Sequence, residues 1–223
     1  MVIGEIKKIP ERIKLLFFWP VFGAVFWYME IVGAGKYHIV HCFLDDKIPF
    51  CEYFVIPYYF WFIFLIGMMV YGFFWDEAAL KNYMKFTAIT YAVTLIVYAV
   101  YPTAQNLRPE TFQNNNFFTQ TVKFAYKVDT NTNVCPSIHV LGSMAVYFAA
   151  RKSKFFGGKA WRIAFLAVTV LITLSTLFIK QHSVLDIAFA VLLGVLVYPF
   201  VYSNKQKPTA PAEHREEYAY SGE

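Results

Sequence analysis

The chain has 223 residues, of which 58% are hydrophobic, 20% aromatic and only 16% charged, with a net charge of +5. Soluble domains carry about a quarter charged residues, so the composition argues against a soluble fold and for a membrane protein. The positive charge then reads as membrane topology and contact with anionic lipid, not as nucleic-acid binding.

From the N-terminus, Lys7, Lys8, Arg12 and Lys14 precede a first apolar run at 15–29. A basic start before an apolar run also outlines a secretory signal, with "GAG" at 33–35 as its cleavage region, but this run is aromatic-heavy and long for that purpose. The second run, "YFVIPYYFWFIFLIGMMVYGFFW" at 53–75, has no charge at all. At ~1.5 Å per residue it is long enough to cross ~30 Å of hydrocarbon. Further runs occupy 86–101, 138–150, 160–179 and 184–202; the fourth is short and completes a span if "VCPS" dips into the membrane. The fold expected is all-α: a polytopic membrane protein with six transmembrane helices over 1–204 and a polar, disordered tail over 205–223.

Short cytoplasmic loops collect Lys and Arg. With both ends inside, fourteen cations fall on inner pieces (Lys7, Lys8, Arg12, Lys14, Lys81, Lys85, Arg151, Lys152, Lys154, Lys159, Arg162, Lys205, Lys207, Arg215). Six fall outside (Lys36, Lys47, Arg108, Lys123, Lys127, Lys180). The expected topology is N-in, C-in, and the lack of an Asn-x-Ser/Thr sequon with compact loops fits a bacterial inner membrane. Cys42, Cys51 and Cys135 all fall on the outer side, an odd number without CxxC spacing, so free thiols are expected. His38 and His41 read as surface residues. The long outer stretch 102–136, with "QNNNFF" at its centre, reads as a functional or lid-like loop whose Phe117-Phe118 pair rests on the membrane interface.

Three polar clusters converge on the outer ends of the last four spans: "QNLRP", "CPSIHV" and "IKQHSVLD". His182 and Asp186 are four apart and share a helix face; a carboxylate on one ring nitrogen fixes the tautomer and frees the other as base or nucleophile. Pro136 and Ser137 suit a helix start whose free amides form an anion site. His139 can face the same anion, and Arg108 adds a fork of donors matched to phosphate oxygens. Two histidines, one oriented by an aspartate, beside an arginine and a helix start suit phosphoryl transfer.

The stretches "YPTAQNLRP" (101–109), "PSIH" (136–139) and "STLFIKQHSVLD" (175–186) resemble, in order and spacing, the three motifs of the type-2 phosphatidic acid phosphatase superfamily: Lys-x6-Arg-Pro, Pro-Ser-Gly-His and Ser-Arg-x5-His-x3-Asp. The resemblance implies a lipid phosphatase acting on a lipid phosphate or diphosphate among membrane lipids, with no cofactor and no metal. His182 would be the nucleophile that forms a phosphohistidine, Asp186 its orienting carboxylate, and His139 the acid for the leaving oxygen. Arg108 and Ser137 would hold phosphoryl oxygens, with Ser175, Tyr101 and Lys180 the remaining substrate-binding candidates. The chain departs from the pattern at Tyr101 (Lys in the family), Ile138 (Gly) and Thr176 (Arg). Two cationic contacts are thereby lost, each worth about 1.5–3 kcal/mol, and Lys180, Lys123 or Lys127 are the candidate replacements. A singly charged phosphodiester needs fewer such contacts, so a head-group phosphotransferase resembling the sphingolipid and inositol phosphorylceramide synthases is the alternative, and a non-catalytic lipid-binding protein a third.

Overall fold

The computed structural model describes residues 9–33 and 35–203. The tail at 205–223 and the cations Lys7, Lys8, Lys205, Lys207 and Arg215 lie outside the described residues. The chain is mostly helical: α1 (Ile9–Leu16), α2 (Phe18–Val32), α3 (Val55–Phe74, entered through a 3-10 turn Glu52–Phe54), α4 (Glu77–Val100), α5 (Phe117–Val128), α6 (Ile138–Lys152), α7 (Lys159–Phe178) and α8 (Val184–Tyr202).

Five stretches are long and apolar enough to cross a membrane: Ile9–Val32, Glu52–Phe74, Glu77–Val100, Lys159–Phe178 and Val184–Tyr202. The fourth apolar run is α6, whose 15 residues span about 22 Å, short of the ~30 Å of hydrocarbon. It sits in the middle of the bundle, packed by α3, α4, α7 and α8. Ten of its side chains are buried, so protein rather than lipid surrounds it.

Local sequence explains the boundaries. Asp76 caps α4 by accepting the Ala79 N–H at 3.1 Å, and Glu77 pairs with Lys81 one turn on at 2.6 Å. Those charges hid the first turns of α4, which begins nine residues before the apolar run at 86–101. Asn116 caps α5 through the Thr119 N–H, so the outer stretch expected to be a loop carries an amphipathic helix. Its inner face buries Val122 and Ala125 while Phe117, Phe124 and Val128 stay exposed. Two short strands, β1 (His38–Ile39) and β2 (Thr103–Ala104), pair in parallel with His38 opposite Thr103 and tie the connection before α3 to the one after α4. Some threonines in the apolar helices satisfy their hydroxyls on their own backbone, as Thr90 does on the Phe86 carbonyl at 2.9 Å and Thr173 on that of Thr169 at 2.8 Å, whereas the buried hydroxyls of Thr87 and Thr94 have no hydrogen-bond partner among the described residues.

Packing is closest where glycine faces a neighbour. A Cβ at Gly142 would meet the Tyr91 hydroxyl at 2.6 Å and the Trp61 indole nitrogen at 3.0 Å, and one at Gly72 would meet backbone and Cβ atoms of Leu80 at 2.9 Å. Gly72 therefore sets the approach of α3 to α4. Since backbone cannot yield as a flexible side chain does, Gly72→Ala should destabilise the fold by about 1–3 kcal/mol. Gly67→Ala, with nothing within 4 Å of the added carbon, is the control: thermal unfolding in detergent should show a lowered midpoint for the first variant and not the second.

Candidate active site

Three helix ends meet at one point. α7 ends at Phe178, and the turn that follows is closed by the N–H groups of Gln181 and His182, both donating to the Thr176 carbonyl at 2.8 and 3.1 Å. Lys180 takes a left-handed backbone here, with φ of 56°, a conformation that costs a non-glycine residue roughly 1–2 kcal/mol. Its ammonium is held by the carbonyls of Asp45 at 2.8 Å and Ile48 at 2.5 Å. Burial lowers the Lys180 pKa from its ordinary value, partly offset by Asp45 and Asp46.

α8 then starts at a capping box. Ser183 accepts the Leu185 N–H, and Asp186 Oδ2 reaches back to the Ser183 N–H at 2.9 Å. The same Oδ2 lies 3.1 Å from His182 Nδ1. A carboxylate acceptor puts the ring proton on Nδ1 and leaves the Nε2 lone pair free. Asp186 thus closes the helix start and orients the histidine at once. A second carboxylate, Asp45, joins from the connection before α3, accepting the Ser183 hydroxyl at 2.6 Å and the Val184 N–H at 2.8 Å. Burial acts to raise the Asp45 pKa, but its hydrogen bonds outweigh that and leave it below the usual carboxylate range.

α6 supplies the facing histidine. Ser137 caps it, accepting the Val140 N–H at 3.4 Å, and its own N–H donates to the Asp186 carbonyl at 3.2 Å, which locks the two helix starts together. From the other side, Tyr98 and Tyr91 of α4 donate their hydroxyls to the carbonyls of Pro136 at 2.7 Å and Ile138 at 3.0 Å. His139 Nδ1 comes to rest 3.4 Å from His182 Nε2, and its Nε2 stands 3.8 Å from Asp129 Oδ2. The result is a line of four groups, Asp129, His139, His182 and Asp186, with a carboxylate at each end. Tyr58 of α3 donates its hydroxyl to Asp129, and the rings of Tyr58 and Trp61 flank His139 at 4.8 and 4.5 Å between centroids. Both histidines are nearly buried, at 4% and 5% exposure. With 3.4 Å between their nearest nitrogens, the two rings leave no room for a ligand between them.

Arg108 approaches from the stretch between α4 and α5. Its guanidinium donates to the carbonyls of Tyr126 at 3.1 Å and Asp129 at 2.6 Å and to Gln181 Oε1 at 2.8 Å, and lies 4.3 Å from the centre of the Tyr126 ring. Its Nε is buried without a hydrogen-bond partner, and burial lowers its pKa. Gln105, fully buried, secures the neighbouring backbone by donating to the Lys180 carbonyl at 2.9 Å.

Of the residues singled out in the sequence, His182, Asp186, His139 and Ser137 are brought together, and Arg108 is linked to them through Asp129 and Gln181. Three others are engaged elsewhere. Tyr101 is half-exposed and stacks on His38 at 3.9 Å, Ser175 turns its hydroxyl to the Ile172 carbonyl at 2.6 Å, and Lys180 holds the 45–48 turn. Lys123 lies over the Phe112 ring at 5.1 Å. His41 pairs with Asp46 at 2.9 Å, and the three cysteines are free thiols. Cys135 is buried, and burial together with the adjacent Asp186 carboxylate pushes its thiol up to about 12.

Sequence reasoning passed over Asp129, Tyr58, Trp61, Gln181 and Asp45. Asp129 had a faint signal, since it and Glu110 are the two carboxylates in 102–136. Tyr58 and Trp61 had none inside an aromatic-rich span.

The sequence matches the model of the PAP2 superfamily over residues 82–210, a stretch that contains Arg108, both histidines and Asp186. No curated protein and no solved structure matches the chain. With more than half of its length aligned to that one model, and the aligned part holding the histidine pair and both helix starts, the chain belongs to the PAP2 superfamily.

Proposed function

We propose that the chain is an integral-membrane lipid phosphatase that hydrolyses a lipid phosphate or diphosphate through a phosphohistidine. Members of the superfamily are phosphatases, which supports a phosphatase- or phosphotransferase-type membrane enzyme in general. The observation that carries the finer reading is the contact between His182 Nε2, freed by Asp186, and the His139 ring backed by Asp129.

In the first step the Nε2 lone pair attacks phosphorus while the bond from phosphorus to the leaving lipid oxygen breaks. The proton on His139 passes to that oxygen, and the carboxylates at either end stabilise the charges that develop on the rings. In the second step water attacks the phosphohistidine, gives its proton to His139 and releases phosphate, restoring both rings. Arg108 and the amides at the start of α6 are the donors available for the phosphoryl oxygens. Nucleophile and acid are both side chains, so the scheme asks for no metal and no cofactor. The accompanying topology is six spans, N-in and C-in, with α6 and its irregular approach buried in protein and the site on the outer face of a bacterial inner membrane.

One observation favours transfer of a head group over hydrolysis. Among the described residues Arg108 is the cation hydrogen-bonded into the cluster, while Lys180 and Lys123 are engaged elsewhere. That suits a singly charged diester better than a doubly charged monoester. The deciding experiment incubates the purified protein with phosphatidic acid, an isoprenoid diphosphate, and a phosphodiester lipid plus an acceptor alcohol. Free phosphate is the expected product; a new lipid without phosphate selects transfer, and neither product means that the chain binds lipid without turning it over.

His182→Ala should abolish turnover while leaving the thermal midpoint in place, and an active variant sinks the scheme. His139→Ala should cost about 10²–10⁴-fold on a lipid phosphate and far less on a nitrophenyl phosphate, whose leaving group needs no acid; equal losses on both substrates remove His139 from that role. Thiols engineered into 102–136 should react with an impermeant maleimide from outside the cell, and thiols at 151–160 should not.

A further inference from the structure

The N-terminal span is the least embedded element of the bundle. Of its described residues only Arg12 and Phe22 are buried. At the end of the bundle opposite the histidine pair, a cavity of about 520 Å³ opens between it and the start of α4. Its floor is Leu15, Phe18, Met84 and Ala88, and its rim is Lys14, Lys81 and Lys85. On α4 the residues 81, 84, 85 and 88 form one stripe at helical spacing, so apolar and cationic side chains line the same wall.

The rim is positive on balance. Lys81 reaches Glu77 at 2.6 Å, but that carboxylate is shared with Arg12 at 3.3 Å. Lys85 donates to the Phe200 carbonyl at 3.2 Å, an uncharged partner, and Lys14 is exposed with no ion pair among the described residues. A wedge with a hydrocarbon floor and a cationic rim at the end of two spans has the polarity of a phospholipid, chain below and phosphate above. Basic pockets between transmembrane helices bind anionic lipid head groups by this arrangement.

We propose that this wedge is a binding site for one anionic phospholipid of the leaflet opposite the histidine pair. Its acyl chain lies on Leu15, Phe18, Met84 and Ala88, and its phosphate lies between Lys14, Lys81 and Lys85. The lipid supplies the contact that the N-terminal span lacks and holds that span against α4. This site is independent of the chemistry assigned to the histidines.

The test uses the purified full chain in detergent, titrated with dioleoyl-phosphatidylglycerol, with dioleoyl-phosphatidylcholine or with inorganic phosphate. Bound lipid is counted by native mass spectrometry and the thermal midpoint is followed in parallel. Phosphatidylglycerol should be retained and raise the midpoint, while the other two do neither. Lys14→Gln with Lys85→Gln should weaken retention about thirtyfold, from the roughly fivefold that each lysine near a membrane surface contributes toward anionic lipid. Lys152→Gln with Lys159→Gln, which removes the same charge from the same end of the bundle, should change little. Ala88→Trp should also expel the lipid, by filling the floor without touching the charge, so the proposal stays testable if the lysine pair misfolds. Equal retention of both lipids, equal loss in the two lysine pairs, undiminished binding by Ala88→Trp, or an equal rise with inorganic phosphate would each overturn it.

Discussion

In hydrocarbon a polar group that lacks a partner costs several kcal/mol, because no water stands ready to replace the one it loses. The end of the bundle that holds the histidine pair is organised by that constraint. A helix end, two helix starts and an irregular connection all finish there, and each leaves backbone donors or carbonyls to be met. Asp45, Gln105, Gln181, Asp186 and Arg108 meet them from residues far apart in sequence. Inside this network His182 Nε2 and the His139 ring face each other.

The two helix starts are accordingly not equivalent. The start of α8 is already answered by carboxylates, Asp45 on Val184 and Asp186 on Ser183, so its positive end has little left for a ligand. Among the described residues, the side chain that answers the start of α6 is the neutral Ser137 hydroxyl. That start keeps most of the roughly half-charge that a helix presents at its N-terminus. On the proposed function, an anion between the histidines would be drawn toward α6, the side on which His139 would protonate a leaving oxygen. Part of what the missing motif cations would supply would then come from backbone.

Much of this was legible in the sequence because it depends on local spacing. His182 and Asp186 are one helical turn apart, Ser137 precedes an apolar run, and the uncharged 23-residue run at 53–75 leaves few alternatives to a span. What stayed hidden depends on long-range approach. Nothing near Tyr58 or Asp129 in the chain announces that a residue of the second span donates to a carboxylate 71 positions later. Nor does "IKQH" reveal that the lysine turns away from the histidine to hold Asp45 and Ile48, since that follows from the left-handed turn at Lys180. The start of α4 was missed for a different reason. Its first turns satisfy charge by pairing Glu77 with Lys81 and Arg12, and such pairing cannot be seen from hydropathy.

The short α6, buried along most of its length, has a consequence for how this chain can vary. Nearly every side chain on it touches another helix, and Gly142 lies within 3.0 Å of two aromatic side chains where a Cβ would stand, so few replacements fit without a compensating change elsewhere. The lipid-facing side of the N-terminal span, where Trp27, Tyr28 and Ile31 are mostly exposed, is bound only to remain apolar. The freedom to drift is therefore graded through the bundle, widest at its first element and narrowest at the helix that carries His139.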